Sequence, residues 1–133
     1  MIRAKVLLIK NRCIMGNFLN LRVWQMAKNL AVKIYRTTLN QKFKSDFGFK
    51  DQVQRSAVSI PSNIAEGDES GTNKLSVRYF HIAKASAAEL MTQLIIANEI
   101  GYIDDMTKNT LIDDCDKISA MLSRLIQARS KMK

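Results

Sequence analysis

Apolar side chains recur at three- and four-residue steps along four stretches of this chain, the spacing that stacks them on one face of an α-helix. In the first stretch Val23, Trp24, Ala27, Leu30, Ala31, Ile34, Tyr35 and Thr38 form such a stripe and predict a helix over 21–39 capped by Asn20. In the second, Val53, Ala57, Ile60 and Ile64 follow at steps of four, three and four. They predict a helix that starts near 49–51 and runs to Glu66, with Asp51 in the first turn, where the helix dipole favours an acid. Val77, Phe80, Ala83, Ala87, Leu90, Leu94 and Ala97 predict a third helix over 73–98, broken by Gly101, with Tyr102 and Ile103 packing the corner. Leu111, Cys115, Ile118, Leu122 and Leu125 predict a last helix capped by Thr107. Phe43 and Phe47, between the first two helices, are expected to fold back on the bundle edge. Ala83, Ala85, Ala87 and Ala88 make the middle of the third helix slim, which invites a close-packed neighbour. With short connections and no strand pattern, these helices predict an all-α, up-and-down four-helix bundle.

The stretch over 54–67, QRSAVSIPSNIAEG, breaks the simple pattern. Pro61 sits inside the apolar stripe, where a proline removes a backbone donor and crowds the carbonyl four residues back, at a cost of ~3 kcal/mol. A kink or a new segment is the expected result. Ser59 and Ser62 can bond back to the preceding turn, and Asn63 can satisfy groups that the proline frees. Alternatively, the kink presents Asn63 and Glu66 at a subunit contact or ligand site. Gly67 is read as the left-handed residue that ends the helix. On the third helix Glu89 and Gln93 are four residues apart; a buried Glu89 would need a donor, for which Arg55 and Asn63 are the candidates.

Length and composition fit one helical domain: the chain has 133 residues, 47% of them hydrophobic, with one proline and five glycines. Its longest apolar run, over 6–9, is too short to span a bilayer, so a soluble, cytoplasmic protein is expected. Cys13 and Cys115 are too few for a disulfide framework and are expected to be reduced thiols. Lys10 and Arg12 interrupt the apolar patch near the start, and no small-residue cleavage site follows, which argues against a signal peptide. Residues 1–15 read as a poorly ordered extension, even a misassigned start upstream of Met15, and 16–133 as the bundle domain.

Charge is uneven. The net charge is +9, yet residues 1–55 carry twelve Lys/Arg and two acids, whereas 56–133 carry nine Lys/Arg and ten acids. Four of these cations fall in the N-terminal extension, leaving the bundle about +5. Arg22, Lys28, Lys33 and Arg36 project from the first helix away from its apolar stripe. Lys42 and Lys44 extend the basic character through the loop, and Arg55 follows in the second helix. A solvated helix face and a surface for polyanions are both consistent with this pattern. The basic C-terminal residues Arg124, Arg129, Lys131 and Lys133 are accounted for by the helix dipole at a fraying end.

The run Arg55-Ser56-Ala57-Val58-Ser59-Ile60-Pro61-Ser62-Asn63-Ile64-Ala65-Glu66-Gly67 resembles the signature of the bacterial 23S rRNA intervening-sequence proteins. Further agreement lies in Phe18-Leu19-Asn20-Leu21-Arg22-Val23-Trp24, in Phe80, Ile82, Ala83, Ala85, Ser86, Glu89, Leu90, Gln93 and Leu94, and in Gly101-Tyr102-Ile103. The resemblance spans roughly 17–126. It implies a four-helix bundle assembled as a ring-like homo-oligomer, commonly a pentamer. It also implies that Ser59, Ile60, Pro61, Ser62, Asn63, Glu66, Gly67 and Glu89 serve as signature and structural residues. The chain is similar, too, to the accessory variability protein of diversity-generating retroelements, a ring that docks a reverse transcriptase and its template. Many members of the resembled family carry Arg or Lys after the signature glycine, whereas Asp68 and Glu69 stand here, so a polyanion contact at that loop is not expected.

No residue set suggests catalysis, a cofactor or a metal. His81 is the only histidine, and its three-residue step from Arg78 does not match an Arg-to-His ribonuclease arrangement. Asp104-Asp105 and Asp113-Asp114-Asp116 lack His or Cys partners and read as solvated charge. Two functions follow. One is a non-enzymatic oligomer that binds RNA or DNA through Arg22, Lys28, Lys33, Arg36, Lys42, Lys44 and Arg55. The other is a scaffold that docks a protein partner such as a reverse transcriptase.

Overall fold

The computed structural model describes residues 17–131; the N-terminal extension expected over 1–15, with Cys13, lies outside them. A 3₁₀ turn, Phe18–Asn20, leads into α1 (Arg22–Thr37), followed by a short α2 (Gln41–Lys44) and then α3 (Phe47–Glu69), α4 (Asn73–Glu99) and α5 (Asp105–Ser130). The four long helices pack in a closed square in which α1 meets α3 and α5, and α4 meets α3 and α5. Each adjacent pair runs antiparallel. Thr38 meets Gln54 while Pro61 shares a groove with Ala31, Ser59 meets Ser86, and Lys33 meets Asp114. This is the up-and-down four-helix bundle, with no strand among the described residues.

The core consists of the predicted stripes, except that Tyr35 is exposed and Trp24, Val77 and Leu125 are only partly buried. Val23, Ala27, Leu30 and Ile34 of α1 meet Val53, Ala57, Ile60 and Ile64 of α3, and Phe80, Ala83, Ala87, Leu90, Leu94 and Ala97 of α4 meet Leu111, Cys115, Ile118 and Leu122 of α5. Phe43 is buried at one end of the bundle between Phe49, stacked at 5.7 Å, and Tyr102, edge-on at 5.2 Å. Tyr102 donates its hydroxyl proton to Asp46 Oδ2 at 2.8 Å, which raises the phenol's pKa and ties this corner to the start of α3. At the opposite end Phe18 packs edge-on against Trp24, which is partly buried.

Helix ends depart from expectation. Asn20 bonds to Asn17 and does not cap α1; Leu21 holds the capping position without a side-chain bond. Asp46 caps α3, so the helix starts at Phe47 and Asp51 lies beyond its first turn, bonded to Arg55. Thr107 does not cap α5: Asp104 accepts from the Thr107 backbone N–H at 2.8 Å, and hydrogen bonds from the Thr107 hydroxyl and then its backbone N–H lower the Asp104 pKa. Phe47 is exposed at 76%, with Lys50 Nζ over its ring, while Phe43 alone folds inward.

The signature helix does not divide at Pro61, which is buried within a continuous α3. Nor does Gly67 end it. The helix passes through Gly67 to Glu69, and the left-handed glycine is Gly71, with φ 86°. Gly67 is required for closeness instead: a Cβ there would fall 2.6 Å from Phe80 Cε1 and 2.9 Å from Phe80 Cδ1. Gly101, with φ 82°, does end the third long helix as predicted.

Candidate nucleic-acid interface

The apolar stripe of α1 faces inward, so its cations emerge on two flanks that border different neighbours. On the α3 flank, Lys28 and Arg36 border a groove of about 470 Å³ lined by Ala31, Val32, Tyr35, Val58 and Pro61. Pro61 and Ala31 are buried at its base, while Val32, Tyr35 and Val58 remain 41%, 46% and 41% exposed. Arg55 of α3 lies within electrostatic reach of Tyr35 but lines a different groove and is ion-paired with Asp51. Its pKa is raised, first by a hydrogen bond from Nε to Asp51 Oδ2 at 2.8 Å, then by the Asp51 charge, with a smaller contribution from Tyr35. No acid lines this groove.

On the α5 flank, Arg22 joins Lys117 and Arg124 around Met26, Ala120 and Met121 in a second groove of about 370 Å³. Lys117 is ion-paired with Asp113 at 3.0 Å, and Lys33 with Asp114 at 2.8 Å. Arg36 stands on the ridge between the flanks, since it also lines a groove with Lys33, Thr37, Met106, Thr107, Thr110 and Leu111. Lys42 donates to the Gly101 carbonyl at 2.9 Å at the end of the bundle, and Lys44 projects from α2 into solvent. Of the seven predicted cations, then, Lys28 and Arg36 come together at one groove, while Arg55 lines another and is paired with Asp51. Arg22, Lys33, Lys42 and Lys44 lie elsewhere.

The signature residues form a seam between α3 and α4. The Ser59 and Ser86 hydroxyls are hydrogen-bonded to each other at 2.9 Å, and Asn63 Nδ2 donates to the Ser59 carbonyl and hydroxyl at 2.8 and 2.9 Å. The carbonyl that Pro61 leaves without its helical donor belongs to Ala57, so Asn63 serves a different group from the one expected. Ile60 is fully buried, while Ser62 and Glu66 face solvent. Glu89 is exposed and needs no buried donor; it borders a groove of about 260 Å³ with Gln52, Arg55, Ser56 and Ser59. Of the slim alanines, Ala83 and Ala87 are buried, whereas Ala85 and Ala88 face outward.

Two features escaped the sequence reading. Arg129 does not fray: it pairs with Asp68 at 3.1 Å, donates to the Ser76 hydroxyl at 3.3 Å and lies 5.5 Å from the centre of the Phe80 ring. Asp68 and Arg129 are sixty-one residues apart, so no local pattern announces the pair. The second feature is an exposed apolar stripe along α4 made by Leu75, Ile82 and Ile96 and continued by Ile100 just past the helix, with Ile95 exposed about 100° round from Ile96. The inward stripe of α4 was predicted, but the outward apolar residues were not singled out.

His81 is exposed on α4, and among the described residues no group of three or more His, Cys, Asp or Glu is placed to hold a metal ion. No described helix is long and apolar enough to cross a membrane. Cys115 is a free thiol whose pKa is pushed up to about 12, first by burial and then by the charges of Asp114 and Asp116.

A family model described as 23S rRNA-intervening sequence protein matches residues 19–124. A solved structure from Bacteroides thetaiotaomicron, described as a protein with unknown function from the S23 ribosomal protein family, is similar with a TM-score of 0.72. The two are 24% identical over 78% of this chain and 97% of that one, a likeness that speaks to the fold. No curated protein matches.

Proposed function

The chain belongs to the 23S rRNA-intervening sequence protein family, and we propose that it is a non-enzymatic, cytoplasmic homo-oligomer that binds RNA or DNA through phosphate contacts. One observation carries this reading: Lys28 and Arg36, neither of them ion-paired among the described residues, border a single groove with no acid in its lining, within a chain of net charge +9. Cations gathered in this way favour a polyanion, and a ring of subunits multiplies the field that each one contributes. Arg22, Lys117 and Arg124 offer a second, weaker contact, because Lys117 already answers Asp113. Lys33 contributes little, since Asp114 neutralises it.

The exposed apolar stripe of α4 supports assembly, because Leu75, Ile82, Ile96 and Ile100 gain most by being covered. A ring of five copies is the arrangement we favour. The same stripe supports a second reading, in which it docks a protein partner such as a reverse transcriptase and the family bundle acts as a scaffold. Light scattering on the full chain, alone and with a mixed RNA and DNA pool, separates these readings. A multiple of the monomer mass that rises with the pool supports the nucleic-acid reading. An oligomer indifferent to both nucleic acids favours the scaffold, and a stable monomer overturns assembly.

A further inference from the structure

We propose that the α1–α3 groove is a seat for an unpaired base, so that the protein prefers single-stranded nucleic acid to duplex; this rests on the nucleic-acid reading above. The groove combines two properties that a phosphate-binding surface alone does not need. Its lining is almost wholly apolar, with Pro61 and Ala31 at the base and Val32, Tyr35 and Val58 as walls open to water. Its borders are cationic. A surface that only met phosphates would gain nothing from exposing this apolar area beside its charges, whereas a nucleotide brings both a flat apolar face and an adjacent anion.

The dimensions agree. Lys28 and Arg36 are eight residues apart on α1, about 12 Å along the helix axis, which leaves room for a base between two charged contacts. Tyr35 stands beside Arg36 at one end of this span and is 46% exposed, which leaves its ring open to stacking. A groove of about 470 Å³ admits a base that has left the stack, whereas a duplex presents only base edges and backbone to such a surface.

Two other occupants fit less well. A second copy of the chain would find a better surface on α4, where the apolar stripe carries both Arg78 and Glu89 and opposite charges can be matched. Pairing the α1–α3 groove with itself would set Lys28 and Arg36 against their own copies. An acidic amphipathic helix from another protein would satisfy the charges but would use the Tyr35 ring only as generic apolar surface.

The test compares the full chain with Tyr35→Ala and Tyr35→Phe by fluorescence anisotropy. The probes are an unstructured oligothymidylate, the same oligomer carrying abasic sites, and a duplex of equal length. Tyr35→Ala is expected to weaken oligothymidylate binding by roughly fivefold to hundredfold, the range for losing one stacked base, and to leave duplex binding unchanged. Tyr35→Phe retains the preference, and abasic sites remove it from the unsubstituted protein. Equal binding of single strand and duplex, insensitive to Tyr35→Ala, overturns the base seat while leaving phosphate binding intact. Failure to bind any probe overturns both. A lower mass for Tyr35→Ala by light scattering, or displacement of the oligomer by an acidic peptide that itself requires Tyr35, identifies the groove as a protein contact and refutes the proposal.

Discussion

Substituting Gly67 by alanine tests the packing account of the signature at a single atom. Were Gly67 an ordinary helical glycine, alanine would stabilise the protein by about 1 kcal/mol, because it restricts the unfolded chain and favours the helix. Here the added Cβ would meet Phe80 Cε1 at 2.6 Å, Phe80 Cδ1 at 2.9 Å and Tyr79 Cβ at 3.1 Å. Phe80 cannot simply swing away, because it is fully buried and Arg129 lies over its ring. Overpacking of this kind costs about 1–3 kcal/mol, and the closeness of the contact places it at the upper end. Set against the helix gain, the net loss should be about 2 kcal/mol. Urea unfolding followed by circular dichroism reads it directly as a lower midpoint at unchanged slope. Gly48→Ala is the control: nothing lies within 4 Å of its added Cβ, and it should raise the midpoint. Phe80→Leu should relieve much of the Gly67→Ala cost when the two are combined. A Gly67→Ala protein as stable as the parent, or a cost unchanged in the Phe80→Leu background, would refute the reasoning.

Three further outcomes are expected. Arg129→Met should destabilise the fold by about 2 kcal/mol, because it leaves the Asp68 carboxylate, 10% exposed and with Oδ2 already lacking a partner, without its counterion; adding Asp68→Asn should recover part of the loss in urea unfolding. The Cys115 thiol, neutral in the fold until about pH 12, ionises near 9 once unfolded, so its contribution to stability is full below about pH 9 and falls as pH rises toward 12. Unfolding midpoints across that range, compared with Cys115→Ala, should show the difference, and a Cys13→Ser protein should react with thiol reagents only after unfolding. Ala87→Trp should prevent normal folding or assembly, since Ala87 is fully buried, whereas a soluble, normally assembled variant in light scattering would show that α4 tolerates bulk at its core face.

The bundle was legible because four amphipathic stripes keep the helical period, and burial follows that period nearly residue by residue. The helix ends were less so. Asn20, Thr107, Asp46 and Asp104 all have capping chemistry, and the two aspartates win through geometry that sequence does not carry; Asp46 is also held by Tyr102 from across the bundle. Gly67 and Gly71 look alike near a polar helix end. Only the approach of Phe80 separates the packing glycine from the left-handed one. The basic positions were legible, but their grouping was not, because it depends on which neighbour borders each flank of α1. Lys33 meets Asp114 across the α5 flank, while Arg36 and Lys28 meet the α3 groove, and spacing along one helix does not distinguish these fates.

The central claim, that phosphate contacts from the cations of the α1–α3 groove hold nucleic acid, is tested most directly by the salt dependence of binding. The logarithm of the association constant for an RNA and for a DNA single strand should fall linearly with the logarithm of salt concentration, by about 0.7 for each phosphate neutralised. Lys28→Glu or Arg36→Glu should make that slope shallower while circular dichroism reports an unchanged fold. A slope near zero, or one that neither charge reversal alters, would contradict the account.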